Sequence, residues 1–237
     1  DYLVMDYIPG DDLLSLMIKN RQKNKFLDER MVLIWSNQLA VALAYLHQQD
    51  PPILHRDVKP SNLKLTANDV VKLVDFGLVK ILVADEATIT IVQGRGTALY
   101  TPLEQYGGDA GHTDVRSDIY AFSATLYHLL TNTAPAEARE RFLHPGTMPT
   151  LRDINPDISQ RTERAVLWGM SLHPEERPQS IEEMRKVLFG NWDPVTRPRA
   201  ALPAPELRDV ITSKVERTMM WFSGGLILLS LIATLSH

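Results

Sequence analysis

Two short polar motifs carry the residues of this chain that could do chemistry. The first reads His55-Arg56-Asp57-Val58-Lys59-Pro60-Ser61-Asn62, and the second, Asp75-Phe76-Gly77, begins thirteen residues after Asn62. Carboxylate, ammonium and amide groups at this spacing fit the needs of phosphoryl transfer, which requires a positioned hydroxyl, neutralised phosphate charge and little covalent help. Alone, each residue would be an ordinary polar residue of a loop. The five fixed positions of the first motif, however, are expected by chance only on the order of once in ten thousand chains of this length.

Both motifs resemble those of protein kinases: the first is similar to their catalytic loop and the second to their metal-binding motif. The resemblance covers about residues 1–190, from a run that looks like the fifth strand and hinge to a late arginine motif. Its other segments are Tyr2-Leu3-Val4-Met5-Asp6-Tyr7, Gly96-Thr97-Ala98-Leu99-Tyr100-Thr101-Pro102-Leu103-Glu104, Ser117-Asp118-Ile119-Tyr120 and His173-Pro174-Glu175-Glu176-Arg177-Pro178. The implied fold class is α+β, namely the mainly helical C-terminal lobe of a protein-kinase-like fold with a short catalytic-loop hairpin.

The resemblance implies a part for each polar residue of the two motifs. Asp57 would accept or orient the proton of the substrate hydroxyl, Lys59 would steady the transferring phosphate, and Asn62 and Asp75 would hold Mg²⁺ through their oxygens. ATP is the implied phosphate donor, with Asp75 among its contacts. The other implied nucleotide contacts are Met5, Asp6, Tyr7, Asp12 and Lys64. Lys64 stands where the family usually has an aliphatic adenine contact, and its methylene stem can serve the same purpose.

The setting of Lys59 resembles the serine/threonine class of the family, so the implied substrates are proteins that carry Ser or Thr hydroxyls. Arg56 offers a guanidinium that can pair with a phosphate, and Thr88 and Thr90 are the preferred candidates for regulatory phosphorylation. For Thr97 the family pattern implies a hydroxyl contact to the catalytic loop instead. The alternative for these threonines is that they lie in a solvated loop without a regulatory part.

Three further residues resemble structural positions of the family. Glu104 and Arg177 would form a buried ion pair that ties the activation segment to the late helices, and Asp118 would organise the backbone of the catalytic loop. The alternative for Asp118 is an exposed cap at a helix start. Residues 102–104 read Pro-Leu-Glu where the family has Ala-Pro-Glu, which keeps the glutamate and changes only the local backbone restraint.

Capping residues and hydrophobic periodicity predict the helices that must position these motifs. The expected helices lie at about 12–17, 28–48, 115–131, 158–171 and 179–189. Asp12 and Asp28 are the expected caps of the first two, and Ser180 and Glu183 have capping-box spacing in the last. The helix at 115–131 is apolar nearly all the way round, which places it in the centre of the core.

Short apolar runs predict the strands. Leu63–Leu65 and residues 70–74 are separated by Thr66-Ala67-Asn68-Asp69, which favours a hairpin directly after the first motif. A strand is also expected at residues 2–5. The two polar motifs would then lie in the loops at either side of the hairpin, where functional residues are often found.

Composition excludes several classes of function. The 237 residues include 44% hydrophobic and 23% charged residues, which is typical of a globular protein. Lys plus Arg number 25 against 29 for Asp plus Glu, and a net charge of −4 gives no electrostatic case for a nucleic-acid partner. The absence of cysteine excludes disulfides, thiolate zinc sites and a cysteine nucleophile.

The composition changes after Trp192. Residues 191–218 are rich in proline and are expected to form a juxtamembrane linker, and residues 219–235 are free of charge. That run is at the lower limit of length for a single transmembrane helix, and Trp221 stands where an interfacial aromatic would. Lys214 and Arg217 precede it, so the kinase lobe is expected on the cytoplasmic side of the cell membrane. The alternative is a buried helix of a soluble domain.

The chain opens at Asp1 in mid-strand, so it is expected to be a fragment that lacks the N-terminal lobe, with its glycine-rich loop and lysine, and to be inactive when tested alone. Two hypotheses result. The first is a membrane-anchored serine/threonine kinase that resembles the bacterial receptor-like branch through Pro-Leu-Glu-Gln-Tyr-Gly. The second is a non-catalytic, kinase-like binding module tethered at the membrane.

Overall fold

Side-chain caps begin the helices that the sequence predicts. In the computed structural model, which describes residues 7–75, 80–81, 98–106 and 113–190, Asp12 accepts a hydrogen bond from the Ser15 amide at 2.8 Å. Asp28 accepts one from the Met31 amide at 3.1 Å, so both predicted caps are confirmed. The helices of the described residues are α1 (Leu13–Arg21), α2 (Glu29–His47), α3 (Val115–Thr131), α4 (Ala138–Leu143), α5 (Leu151–Ile154), α6 (Gln160–Gly169) and α7 (Ile181–Phe189).

Helix α3 forms the centre of the core, as its apolar surface predicts. Fifteen of its seventeen residues are buried, and α1, α2, α5, α6 and α7 all contact it. The approach of α6 is close at Gly169, because a Cβ there would overlap the Ser123 side chain of α3. A single buried helix therefore serves as the common support for the surrounding ones.

The predicted hairpin is present next to the first polar motif. Strands β2 (Leu63–Leu65) and β3 (Val71–Leu73) pair antiparallel, with Lys64 opposite Lys72. Residues 66–69 form the turn, in which Asp69 has a left-handed φ of 58°. The segment before α1 lies against β2, and Gly10, with a φ of 127°, is required there because a Cβ would overlap the backbone carbonyl of Leu65.

The structure differs from the predictions in four places. Strand β1 (Ile53–Leu54) pairs antiparallel with β4 (Lys80–Ile81), and two-residue strands are too short to leave a periodic pattern. Helices α4 and α5 were not predicted either, because six and four residues are also too few for a periodic pattern. Strand β3 is shorter at both ends than residues 70–74. In α7, Ser180 accepts from the Glu183 amide at 3.0 Å, but the Glu183 carboxylate accepts from the Gln179 amide rather than from Ser180.

Several predictions concern residues outside the described ranges. These are the strand at 2–5, the contacts Met5 and Asp6, Phe76-Gly77, the threonines Thr88, Thr90 and Thr97, the linker at 191–218 and the span at 219–235. Within the ranges that are described, no helix combines the length and the apolar character needed to cross a membrane.

Candidate active site

Two residues of the first motif converge on the carboxylate of a third, Asp57. The Lys59 Nζ lies 2.9 Å from Oδ1 and 2.7 Å from Oδ2 of Asp57, and the Asn62 amide nitrogen donates to Asp57 Oδ2 at 2.9 Å. The same nitrogen also donates to the Asp57 backbone carbonyl at 2.9 Å. The short 3₁₀ turn at Pro60–Asn62 bends the chain back so that these side chains meet. The arrangement fixes the direction of the Asp57 carboxylate, which is 7% exposed.

Asp118 of α3 holds the backbone that carries Asp57. Its carboxylate accepts from the amides of His55 at 2.9 Å and Arg56 at 2.8 Å, and it lies 2.9 Å from the His47 Nε2. Complete burial by itself would raise the pKa of Asp118, but the hydrogen bond and charge of His47, together with the two amides, hold that pKa below its ordinary value. The alternative of an exposed helix cap is therefore wrong for Asp118, which is 0% exposed.

The loop bound by Asp118 adopts an unusual backbone conformation. Arg56 has a φ of 67°, in the left-handed region that non-glycine residues rarely adopt. Such strained conformations persist only where surrounding contacts determine them, and here the two amide bonds to Asp118 supply those contacts. A third hydrogen bond, from the Thr125 hydroxyl of α3 to the Val58 carbonyl at 3.3 Å, holds the loop on the other side of Asp57.

The hairpin brings the second motif to the first. The Val74 amide donates to the Asn62 carbonyl at 2.9 Å. This bond places the next residue, Asp75, beside Asn62. Asp75 is exposed and has a left-handed φ of 65°. Carboxylate and amide oxygens are the ligands that Mg²⁺ prefers, and it is usually bound by one or two carboxylates together with phosphates. Among the described residues no group of three or more His, Asp or Glu side chains gathers into a metal site.

Two of the predicted nucleotide contacts meet at the start of α1. Asp12 and Lys64 form an isolated antiparallel bridge, and their side chains lie 3.7 Å apart between the Lys64 Nζ and Asp12 Oδ2. Tyr7 is 88% exposed. The structure thus joins Asp12 and Lys64 through a charge contact that the sequence did not predict, because they are separated by about fifty residues.

Comparison with known proteins identifies this arrangement. The protein kinase domain model matches residues 1–193. The chain belongs to the protein kinase family. A probable serine/threonine-protein kinase of Clostridium acetobutylicum is 32% identical over 193 residues, which are 78% of this chain and 27% of that relative. Serine/threonine-protein kinase PknB of Mycobacterium leprae is 30% identical over 232 residues, covering 94% of this chain and 34% of PknB. The kinase chain therefore spans about a third or less of these curated relatives.

A solved structure agrees with the fold. PpkA-294 in its apo form superposes with a TM-score of 0.60 and 23% sequence identity, over 77% of this chain and 61% of that one. Helices and a small sheet in a protein-kinase-like fold are thus established for the chain.

A buried ion pair joins residues 98–106 to the loop between α6 and α7. Arg177 binds both carboxylate oxygens of Glu104, at 2.7 and 2.9 Å, and donates to the carbonyls of Ser171, Leu172 and Arg116. Its guanidinium also lies 5.0 Å from the centre of the Tyr120 ring. The Arg177 side chain is 0% exposed and that of Glu104 is 8% exposed. Because the guanidinium is bound on all sides, this pair fixes the position of the segment.

Arg56 is the one predicted regulatory residue that lies in the described part of the kinase chain. It is 7% exposed, and burial lowers its pKa from the ordinary value, while the charge of Asp118 opposes that effect. Its buried Nε makes no hydrogen bond to a described residue. The pairing of Arg56 with a phosphate stays a prediction.

The sequence did not predict the contacts that two histidines of the kinase domain make. His47 ends α2 and binds Asp118, 71 residues away, and His128 of α3 binds Tyr100 with 2.6 Å between the phenol oxygen and Nδ1. The rings of Tyr100 and His128 are also stacked, with centroids 6.0 Å apart. Neither histidine stands in a short motif, so no local signal in the sequence marks it.

We expect the burial of His128 to make the kinase domain less stable in mild acid. Burial first, and the charge of Arg21 second, lower the pKa of His128 to about 4 from an ordinary value of 6.5. As the pH falls from 6.5 to 4, the unfolded chain binds a proton that the folded chain resists, so stability is lost in that window. The difference corresponds to roughly 3 kcal/mol in the free energy of unfolding.

Urea unfolding at several pH values between 7 and 4 measures this effect. His128→Gln should lower stability at neutral pH but weaken its dependence on pH. The same replacement of the exposed His144 is the matched control and should leave the pH dependence unchanged. Equal pH dependence in the chain and in His128→Gln would show that His128 is not the group responsible.

Proposed function

We propose that this kinase domain belongs to a serine/threonine protein kinase that transfers the γ-phosphate of ATP to Ser and Thr hydroxyls of proteins. The observation that carries the proposal is the Asp57 carboxylate, directed by Lys59 and Asn62 on a backbone that Asp118 holds. The names of the curated relatives, which are serine/threonine-protein kinases, also support it.

The Asp57 carboxylate is the group that takes the proton of the substrate hydroxyl. The hydroxyl oxygen forms the new bond to the γ-phosphorus, ADP leaves with the electrons of the broken bond, and the proton passes to Asp57. Lys59 lies within hydrogen-bond distance of both Asp57 oxygens, so its ammonium group stands where the negative charge of the transferring phosphate would come. Fixed charges of this kind need no reorganisation during the reaction.

The residues beside Asp57 fit Mg²⁺. Asn62 turns its amide nitrogen toward Asp57, which leaves the amide oxygen as its ligand atom, and Asp75 presents an exposed carboxylate next to it. When bound there, the metal would neutralise charge on the phosphates. Asn62 therefore serves two purposes in the proposal, since one end of its amide orients Asp57 and the other holds the metal.

Phosphoamino-acid analysis tests the activity. The full-length protein, incubated with radiolabelled ATP, Mg²⁺ and a generic protein substrate, should produce phosphoserine and phosphothreonine but no phosphotyrosine. Omission of Mg²⁺ should abolish the label. Nucleotide binding without any transfer would contradict the proposal and favour the non-catalytic binding module.

We also propose that residues 219–235 anchor the protein in the cell membrane, with the kinase domain in the cytoplasm. The support comes from the sequence: seventeen uncharged residues follow a proline-rich linker, and Lys214 and Arg217 precede them. At a rise of about 1.5 Å per residue, a helix of this length is at the lower limit for crossing the hydrocarbon core.

Membrane partitioning tests the anchor. The full chain should sediment with membranes and resist carbonate extraction, whereas a version that ends at Trp192 should remain in the supernatant. Protease added outside sealed cells should not reach the kinase domain. Release of the full chain by carbonate would contradict the anchor and support the alternative of a buried helix.

A further inference from the structure

A run of basic residues lies at the end of α1. From Leu13 to Leu27 the sequence has four basic residues and no acidic one, although the net charge of the whole chain is −4. Lys19 is paired with Asp11 at 2.6 Å. Arg21, Lys23 and Lys25 are exposed, and none of them forms an ion pair with a carboxylate of the described residues. We call these three residues the basic surface.

The fold brings this run to the end of α3 and close to the catalytic loop. The Asn132 side chain, directly after α3, donates to the Lys25 carbonyl at 3.0 Å. Helix α1 also packs against α3, against β2 and against the 3₁₀ turn at Pro60–Asn62. The basic residues therefore have a fixed position relative to Asp57, although they are distant in sequence.

The buried His128 links this surface to α3. Burial first, and the charge of Arg21 second, lower the pKa of His128, so the guanidinium of Arg21 lies near this ring. The basic surface is therefore next to α3 as well as at the end of α1.

The basic surface lies at the opposite end of α1 from the Asp12–Lys64 bridge, and Lys64 follows the catalytic loop directly. His128 lies one helical turn after Thr125, whose hydroxyl binds the carbonyl of Val58, the residue next to Asp57. Helix α1 has nine residues, so its two ends are roughly 14 Å apart. An extended peptide covers about 3.3 Å per residue. A side chain within about five residues of the reacting hydroxyl can therefore reach the basic surface.

We propose that the basic surface binds an acidic side chain of the protein substrate, within about five residues of the Ser or Thr that is phosphorylated. This inference rests on the proposed kinase function and names its substrate class, which is a hydroxyl in an acidic sequence. Complementary charge selects such a peptide and disfavours one that carries basic residues at the same positions.

Steady-state kinetics with paired peptides test the inference in the full-length protein. The peptides share one Ser and differ by Asp or Asn at each position up to five residues on either side of it. We expect a higher kcat/KM for Asp at one or two positions, through KM rather than kcat. The double variant Arg21→Glu, Lys23→Glu should lower kcat/KM for that peptide about tenfold and leave the Asn peptide unchanged.

The matched control is Lys186→Glu, because Lys186 is an exposed lysine of α7 in a different part of the described structure. It should leave the preference for Asp intact. Equal kcat/KM for Asp and Asn peptides at all positions, or a preference that survives the double variant, would overturn the inference.

A binding measurement separates this inference from the proposed function. Fluorescence anisotropy with labelled peptides whose Ser is replaced by Ala needs no phosphoryl transfer. The acidic peptide should bind more tightly than the Asn peptide, and added salt should weaken that difference. Tight acidic binding without transfer to any peptide would refute the kinase activity alone, whereas transfer without acidic preference would refute the inference alone.

Discussion

Replacing Asp57 with Asn in the full-length protein should lower turnover by roughly 10² to 10⁴ while nucleotide binding is retained. The Asn side chain has nearly the same shape but cannot take the hydroxyl proton, and its amide group would face the Asn62 amide that now donates to Asp57 Oδ2 at 2.9 Å. Turnover is measured by phosphate transfer to protein, and nucleotide binding by equilibrium titration.

Asp69→Asn is the matched control, since it makes the same chemical change at an exposed carboxylate in the hairpin turn. Asn tolerates the left-handed φ of 58° at that position, so activity should be unchanged.

Asp75→Ala should lower transfer and, in addition, weaken the binding of ATP that depends on Mg²⁺. Unchanged transfer in both Asp57→Asn and Asp75→Ala would remove the basis for the proposed roles.

Replacing Arg177 with Ala should lower the free energy of unfolding by roughly 3 to 5 kcal/mol, which is a large share of the stability of a domain. The loss is large because Glu104 would remain as a buried charge without its partner. The five hydrogen bonds that the guanidinium makes to Glu104 and to backbone carbonyls would be lost as well. Urea unfolding followed by circular dichroism measures the change.

Lys19→Ala provides the control for Arg177→Ala, because it breaks an ion pair whose side chains are 57% and 49% exposed. Exposed pairs contribute about 0 to 1 kcal/mol, so this variant should unfold at nearly the same urea concentration as the unchanged chain. Equal losses in the two variants would show that burial of the Glu104–Arg177 pair does not determine its contribution.

The local features of the fold follow from residues that are close in sequence. The caps Asp12 and Asp28 bind amides three residues ahead, and the turn at 66–69 joins two strands that are adjacent in the chain. Spacing alone places such partners together, so propensity and periodicity predicted these elements. Helices α4 and α5 have only six and four residues, too few for a periodic pattern to distinguish them from loops.

The sequence by itself predicted which residues carry the chemistry, because the motif at 55–62 and Asp75 combine the residue types that phosphoryl transfer needs at a spacing that chance does not explain. The tertiary structure decided how they are held. The resemblance predicted that Asp118 organises the catalytic loop, and the structure shows how, through the amides of His55 and Arg56. The contacts of His47 with Asp118 and of His128 with Tyr100, across 71 and 28 residues, were decided by the tertiary structure alone. Such contacts depend on how the buried helix α3 packs against its neighbours, and no local pattern of residues encodes that packing.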